Sequence, residues 1–286
     1  MRIGHAILAS LALLAAAGSA YGAGGAGSET PAQPGSTLQM AMTLYAGGVT
    51  LGKVDLNTTI RGDQYHSVSN LQTSGIVNAF WQSEIQATST GTVAVANKSI
   101  RPGLYDSFYA GHADKKQEVS LTYDNGGPVR LYADPTYPTT GYEVPPAQQK
   151  GTFDPLSAIT YFISGVGASA DNPCSVLLPV FDGRRRYDVE FVKVKDTTVA
   201  LDNGIYKGPA VLCEMKYKQI SGYKPRVLKD ASKFPLINAW ITTVPSAVTG
   251  RRYVVPLRIW ANTEYGVIAG VATQLKVDGV TPKPAG

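Results

Sequence analysis

Hydrophobic and polar residues alternate along most of this chain, and turn-forming residues break the alternation at short intervals. Successive strand side chains point to opposite faces, so a period of two predicts strands with one buried side. Leu38, Met40, Met42 and Leu44 share one face of a strand over 37–46. Gly47-Gly48 turns it into a second strand over 49–60, and Arg61-Gly62-Asp63 into a third over 65–74. Residues 75–80 read as a short helix or irregular turn, followed by a hairpin of 81–90 with 92–102. Asp124-Asn125-Gly126-Gly127 is the strongest hairpin signal, because both central residues tolerate positive φ; it joins 118–123 to 128–132. The alternation resumes from Cys174, over 174–181, 184–195, 198–201, 205–219, 237–244, 253–260 and 267–277. Pro256 inside one of these predicts an edge strand or a bulge, since proline cannot donate to a ladder.

Two stretches depart from this rhythm. Residues 133–151 contain four prolines and Gly141, which predicts a surface excursion. Asp154-Pro155-Leu156 then opens the one clear helix, with Asp154 as N-cap and Pro155 in the first turn. Leu156, Ile159 and Phe162 fall on one face at helical spacing, so the helix is expected to plug the concave side of a curved sheet. The fold class is all-β and mostly antiparallel.

Composition adds compartment. Arg2 precedes an apolar run from Ala6 to Ala17, then Gly18-Ser19-Ala20, the arrangement of a cleavable export signal over 1–20, cut after Ala20 or Ala23. The run of about 12 residues is short of the roughly 20 that span a bilayer, so no transmembrane segment is expected in the mature chain. Residues 21–36, rich in Gly, Ala, Pro and Ser, read as a disordered linker, 37–278 as a single domain and 279–286 as a flexible tail. The expected location is a bacterial periplasm. The net charge of +5 is mild for this length and is no nucleic-acid signature.

Candidate chemistry is sparse. In Val180 to Phe191 an Asp182-Gly183 turn leads into Arg184-Arg185-Arg186. Strand parity places Arg184, Arg186, Asp188 and Glu190 on one side, and Arg185, Tyr187, Val189 and Phe191 on the core side. That side, two cations then two anions, reads as a half-exposed strand face with same-face ion pairs; the sharper alternative makes Arg184 and Arg186, with Arg251 and Arg252, a candidate rim for phosphate or carboxylate groups. Cys174 and Cys213 are the only cysteines, and an even count in an oxidising compartment favours a disulfide. Hairpin counting, however, sets both beside one intervening strand, about 9 to 10 Å apart at ~4.8 Å per strand. A bridge requires less than about 7 Å, so it forms only where Cys174, following Pro173, swings out of the sheet. His66 and His112 read as surface residues, no nucleophile elbow or paired-cysteine motif occurs, and no cofactor, metal or enzymatic activity is expected.

Asp154-x-x-Ser157 with its aromatic run, Val180 to Tyr187, Tyr217 with Gly222-Tyr223, and Pro256-Leu257-Arg258 with Gly266 follow one another in a familiar order. They resemble the exported bacterial family catalogued as Domain of Unknown Function 3108, over about Leu38 to Leu275. The resemblance implies a strongly curved sheet, an incomplete β-barrel or β-spiral, around a helix. It implies no catalytic residue. A looser likeness, of fold alone, is to periplasmic β-spiral envelope-integrity proteins and lipoprotein carriers. The expected function is non-enzymatic support of the cell envelope by binding a partner protein or envelope polymer. The alternative is a carrier whose barrel holds a lipid.

Overall fold

A computed structural model describes residues 34–74, 78, 82–94, 98–168, 172–229, 235–264 and 266–282. The export signal, the linker up to residue 33, residues 283–286 and the turn expected over 75–80, Asn78 excepted, lie outside the described residues. Seven strands come first: β1 (Gly35–Ala46), β2 (Val49–Arg61), β3 (Gln64–Thr73), β4 (Ser83–Ala94), β5 (Ser99–Gly111), β6 (Lys115–Asp124) and β7 (Gly127–Asp134). Helices α1 (Pro146–Gln149) and α2 (Pro155–Ile163) follow. Then come β8 (Val176–Phe181), β9 (Arg186–Ala200), β10 (Lys207–Ser221), α3 (Pro225–Lys229), β11 (Ile237–Pro245), β12 (Arg252–Thr263) and β13 (Gly266–Val277).

Among the described residues these strands form one 13-stranded sheet in the order β7-β6-β5-β4-β3-β2-β1-β13-β12-β11-β10-β9-β8, antiparallel at each ladder. Two meanders therefore meet where β1 pairs with β13, while β7 and β8, consecutive in the chain, sit at opposite edges. Register shifts at Ala41/Met42, Thr90/Gly91, Leu212/Cys213 and Trp240/Ile241 bend the strands, as bulges do, and the sheet curls towards a barrel. Pro256 sits opposite Ile241 at the last of these, so the proline marks a bulge in an interior strand. Gly91 corrects the expected hairpin of 81–90 with 92–102. It lies within β4, where a Cβ would stand 2.2 Å from the carbonyl oxygen of Arg101 and 2.7 Å from the Tyr65 ring. The glycine is required for a close crossing, and β4 runs on to Ala94, which pairs with Ser99 of β5. At the N-terminal boundary β1 starts at Gly35, two residues before the expected domain edge, because the buried Ser36 hydroxyl bonds Tyr253 Oη at 2.5 Å.

The barrel does not close by a ladder. An extended segment stitches the two edges: Gly151 N–H donates to Gly126 O at 2.6 Å, Phe153 N–H to Pro179 O at 2.8 Å, and Phe181 N–H to Phe153 O at 2.8 Å. Immediately after this stitch, Asp154 caps α2, its Oδ1 accepting from Leu156 N at 3.1 Å and Ser157 N at 2.8 Å. The helix packs against β3, β4, β5 and β8 on the concave side, as expected. Its facing differs from the expected stripe. Leu156 and Phe162 are buried, Phe162 stacking on Phe191 at 4.3 Å, but Ile159 is 44% exposed. Ser157 and Thr160 face the sheet instead. Ser157 Oγ bonds Tyr65 Oη at 2.6 Å and Ser89 Oγ at 2.8 Å, and Thr160 Oγ1 bonds Ser67 Oγ at 2.6 Å, which reaches Thr58 Oγ1 at 2.9 Å. The hydroxyls satisfy one another, so polar residues take positions that a hydrophobic stripe assigns to water.

Cys174 and Cys213 form the disulfide, with Cα atoms 5.9 Å apart. β9 does lie between them, since Cys213 faces Lys193 and Val176 faces Phe191. The distance is short because β8 begins only at Val176. Cys174 sits in the preceding turn, outside the ladder, its N–H donated to Asn172 Oδ1 at 3.1 Å. The bridge anchors the start of the edge strand that receives Phe153.

Two measurements check this arrangement. Denatured, unreduced protein should titrate no free thiol, and replacing both cysteines with serine should cost about 4 kcal/mol, the loop entropy for a separation of 39 residues. The second concerns Asp154, whose carboxyl is fully buried and pushed from 3.8 up to about 6 by desolvation. A raised carboxyl favours the proton in the folded state. The fold is therefore most stable below about pH 4 as far as this group is concerned, and loses roughly 3 kcal/mol as pH rises through about 6. Asp154→Asn retains an oxygen for the cap and should remove that part of the difference in unfolding free energy between pH 4 and pH 7.5, read by urea denaturation.

Candidate binding cleft

The Asp182 side chain builds the turn between β8 and β9. Its Oδ1 accepts from the backbone N–H of Arg184 at 3.0 Å and of Arg185 at 2.6 Å, and its own N–H donates to Arg185 O at 3.1 Å. Phe181 pairs with Arg186, so β9 starts there and the parity that grouped Arg184 with Arg186 does not apply. The three arginines take separate roles. Arg186 donates to Tyr187 O and Asp188 Oδ1, both at 2.6 Å, with its side chain only 14% exposed; it is a strut within the sheet. Arg185 forks onto Asp182 Oδ2 through Nε and Nη2, each at 2.9 Å. Half in solvent, that pair adds little stability but fixes where the guanidinium points. Arg184 lies over the Tyr137 ring, 5.4 Å from its centroid, and its buried Nε has no hydrogen-bond partner.

Arg184, Arg185 and Tyr187 form one wall of a cleft of about 890 Å³ at the mouth of the concave side; Tyr105 and Tyr109 of β5 form another, and Pro155 of α2 is part of its lining. Tyr137 reaches it from the excursion after β7, which is anchored by buried Val144. Across the 182–185 turn lies a second cavity of about 370 Å³ with Tyr217, Tyr223 and Val227 of α3. Gly222 at φ +83° makes that approach possible, since a Cβ there would stand 2.2 Å from Arg184 O and 2.8 Å from Val144 Cγ2. Tyr187 of the first cavity and Tyr217 of the second have ring centroids 5.0 Å apart, and the Tyr217 and Tyr223 hydroxyls meet at 2.5 Å. Six of the chain's sixteen tyrosines thus gather here. Burial raises the pKa of Tyr105, Tyr137, Tyr187, Tyr217 and Tyr223, so these phenols keep their protons at neutral pH.

The other sequence candidates are elsewhere. Arg252 starts β12 and donates from Nη2 to Thr243 Oγ1 at 3.0 Å; Arg251, beside Tyr253, has its pKa lowered by burial. The Arg252 carbonyl abuts Gly165, past the C-terminal end of α2, whereas Pro155 at the N-terminal end borders the Arg184 cleft. A helix of nine residues, ~13 Å long, separates them, so the structure does not bring Arg251 and Arg252 into one rim with Arg184 and Arg186. Among the described residues no three His, Cys, Asp or Glu side chains stand close enough to hold a metal. Asp154 and Ser157 are hydrogen-bonded to each other and fully buried. Arginine spacing led to the turn but not to its aromatic surroundings. The signal was present in sixteen tyrosines against seven phenylalanines, and in the shared face of Tyr105 and Tyr109.

Among the described residues no helix is long and apolar enough to cross a membrane. No curated protein matches the chain. A solved structure that resembles it is the beta-barrel-like protein of domain of unknown function DUF1849 from Brucella abortus, 12% identical, with a TM-score of 0.49 over 86% of this chain and 99% of that one. A family described as Protein of unknown function (DUF3108) matches residues 39–273, from β1 into β13, and the chain belongs to that family.

Proposed function

We propose that this chain is an exported, non-enzymatic protein of the periplasm that supports the cell envelope by binding a partner protein or envelope polymer at the mouth of its curved sheet. The observation that carries this is the open cleft in which the Arg184 guanidinium lies on Tyr137, its buried Nε without a hydrogen-bond partner. A half-buried guanidinium stacked on a phenol ring is suited to recognising an anionic group. The disulfide fits an oxidising compartment, and Arg2 with Ala6 to Ala17 fits export into it. The carrier alternative lacks comparable support, because side chains such as Leu121, Phe162, Ile163 and Phe191 occupy the concave interior around α2.

Cosedimentation of the mature protein with isolated cell envelopes tests the reading. Arg184→Gln with Arg185→Gln should weaken binding at least tenfold, about 1.4 kcal/mol, with a melting temperature within ~2 °C of wild type. Arg251→Gln with Arg252→Gln should leave binding unchanged. A large fall in melting temperature would mark Arg184 and Arg185 as structural, and a stoichiometric lipid in native mass spectra of the purified protein would replace this reading with the carrier.

A further inference from the structure

We propose that the cleft takes an acidic glycan, a saccharide chain carrying carboxylates, an inference that rests on the binding role proposed above and narrows its ligand. The lining chemistry separates the possible ligands. An acyl chain calls for continuous methylene and methyl contacts, and here aliphatic side chains are a minority beside Tyr105, Tyr109, Tyr137 and Tyr187. A phenol ring presents a flat apolar face to the C–H side of a sugar and an O–H to its hydroxyls, and it loses little conformational freedom in doing so. Because burial holds the Tyr105, Tyr137 and Tyr187 phenols in their protonated form, each of these three has a hydrogen to donate. An extended peptide would draw on the free main chain of an edge strand, yet no residue of β7 lines the cleft among the described residues.

Charge gives the sign of the ligand. Lys115, Lys116, Arg184 and Arg185 border the cleft against Asp114 and Asp182, and Asp182 is already engaged by Arg185. Arg184 presents the planar fork that matches a carboxylate, backed by the Tyr137 ring. Shape points to a chain rather than a lone anion. Cavities of about 890 and 370 Å³ flank one turn and share Arg184 and Arg185 in their linings, so a linear oligomer can pass over the 182–185 turn with a carboxylate at Arg184.

Calorimetric titration of the folded, disulfide-bonded protein with tetragalacturonate tests this, with spectra of ¹³C-labelled tyrosine as a second readout. Saturable binding is expected, with shifts among the cleft tyrosines, weakened at least tenfold by Arg184→Gln and unchanged by Arg252→Gln. Maltotetraose, neutral and of similar length, should bind at least tenfold more weakly. Equal binding of maltotetraose, displacement of tetragalacturonate by millimolar inorganic phosphate, or binding only to phosphatidylglycerol vesicles would each overturn the proposal. The tyrosine spectra of the wild type decide the case even where a variant fails to fold. Envelope cosedimentation separates the two readings. Arg184-dependent envelope binding that tetragalacturonate does not compete refutes the acidic glycan and leaves the envelope role standing. Tetragalacturonate binding without envelope binding does the reverse.

Discussion

A carboxylate taken out of water must be neutralised or surrounded by donors, and Asp154 is surrounded: two backbone amides at the start of α2, the Ser157 hydroxyl, and more distantly Ser89 at 3.4 Å. That arrangement does more than begin a helix. Asp154 directly follows the segment that stitches β8 to the β6–β7 turn, so its cap fixes the point where the chain leaves the seam and enters the interior. Ser157 then ties the helix to Tyr65 on β3 and Ser89 on β4, far around the sheet from the seam. One buried group thus holds the helix, the open edge and the opposite wall in register, and Pro155 beside it becomes part of the cleft lining.

Much of the ladder was legible because a period of two is a direct consequence of strand geometry, as at Leu38, Met40 and Met42. Errors arose where one residue type serves two physical ends. Gly91 reads as a turn because glycine tolerates positive φ, whereas here it is needed because it has no side chain to strike Tyr65. Ile159 reads as core because apolar residues are assumed to face inward, whereas hydroxyls on β2, β3 and β4 had made the concave wall a partner for Ser157 and Thr160. The disulfide distance failed for a related reason. Counting along hairpins keeps every residue in the ladder, and Cys174 lies just outside it.

The cleft was only partly legible. Its arginines stood out as a run, but strand parity describes strands, and Arg184 and Arg185 lie in a turn organised by Asp182. Its tyrosines come from β5, β9, β10 and two connecting segments, a convergence that no local pattern encodes. Several residues that carried the family resemblance, Asp154, Ser157, Val180 to Tyr187, Tyr217 and Gly222-Tyr223, nevertheless converge on this mouth and the network beneath it. They are the residues that allow two chain segments to touch across a gap no ladder spans.

The meeting of β1 and β13 sets an order on assembly. Among the described residues the first strand pairs with the last, and Asp278 locks the junction: its Oδ1 accepts from Thr37 N–H and its own N–H donates to Thr37 O, both at 2.9 Å. A chain emerging from its N-terminus can fold β1 to β7 as a local meander, but one flank of β1 stays bare until β13 is available. Contacts of such long sequence separation are slow to form, and an unpaired flank invites pairing with a neighbouring chain meanwhile. The central joint of the sheet thus waits on β13, and until that strand arrives the bare flank of β1 is open to misassembly.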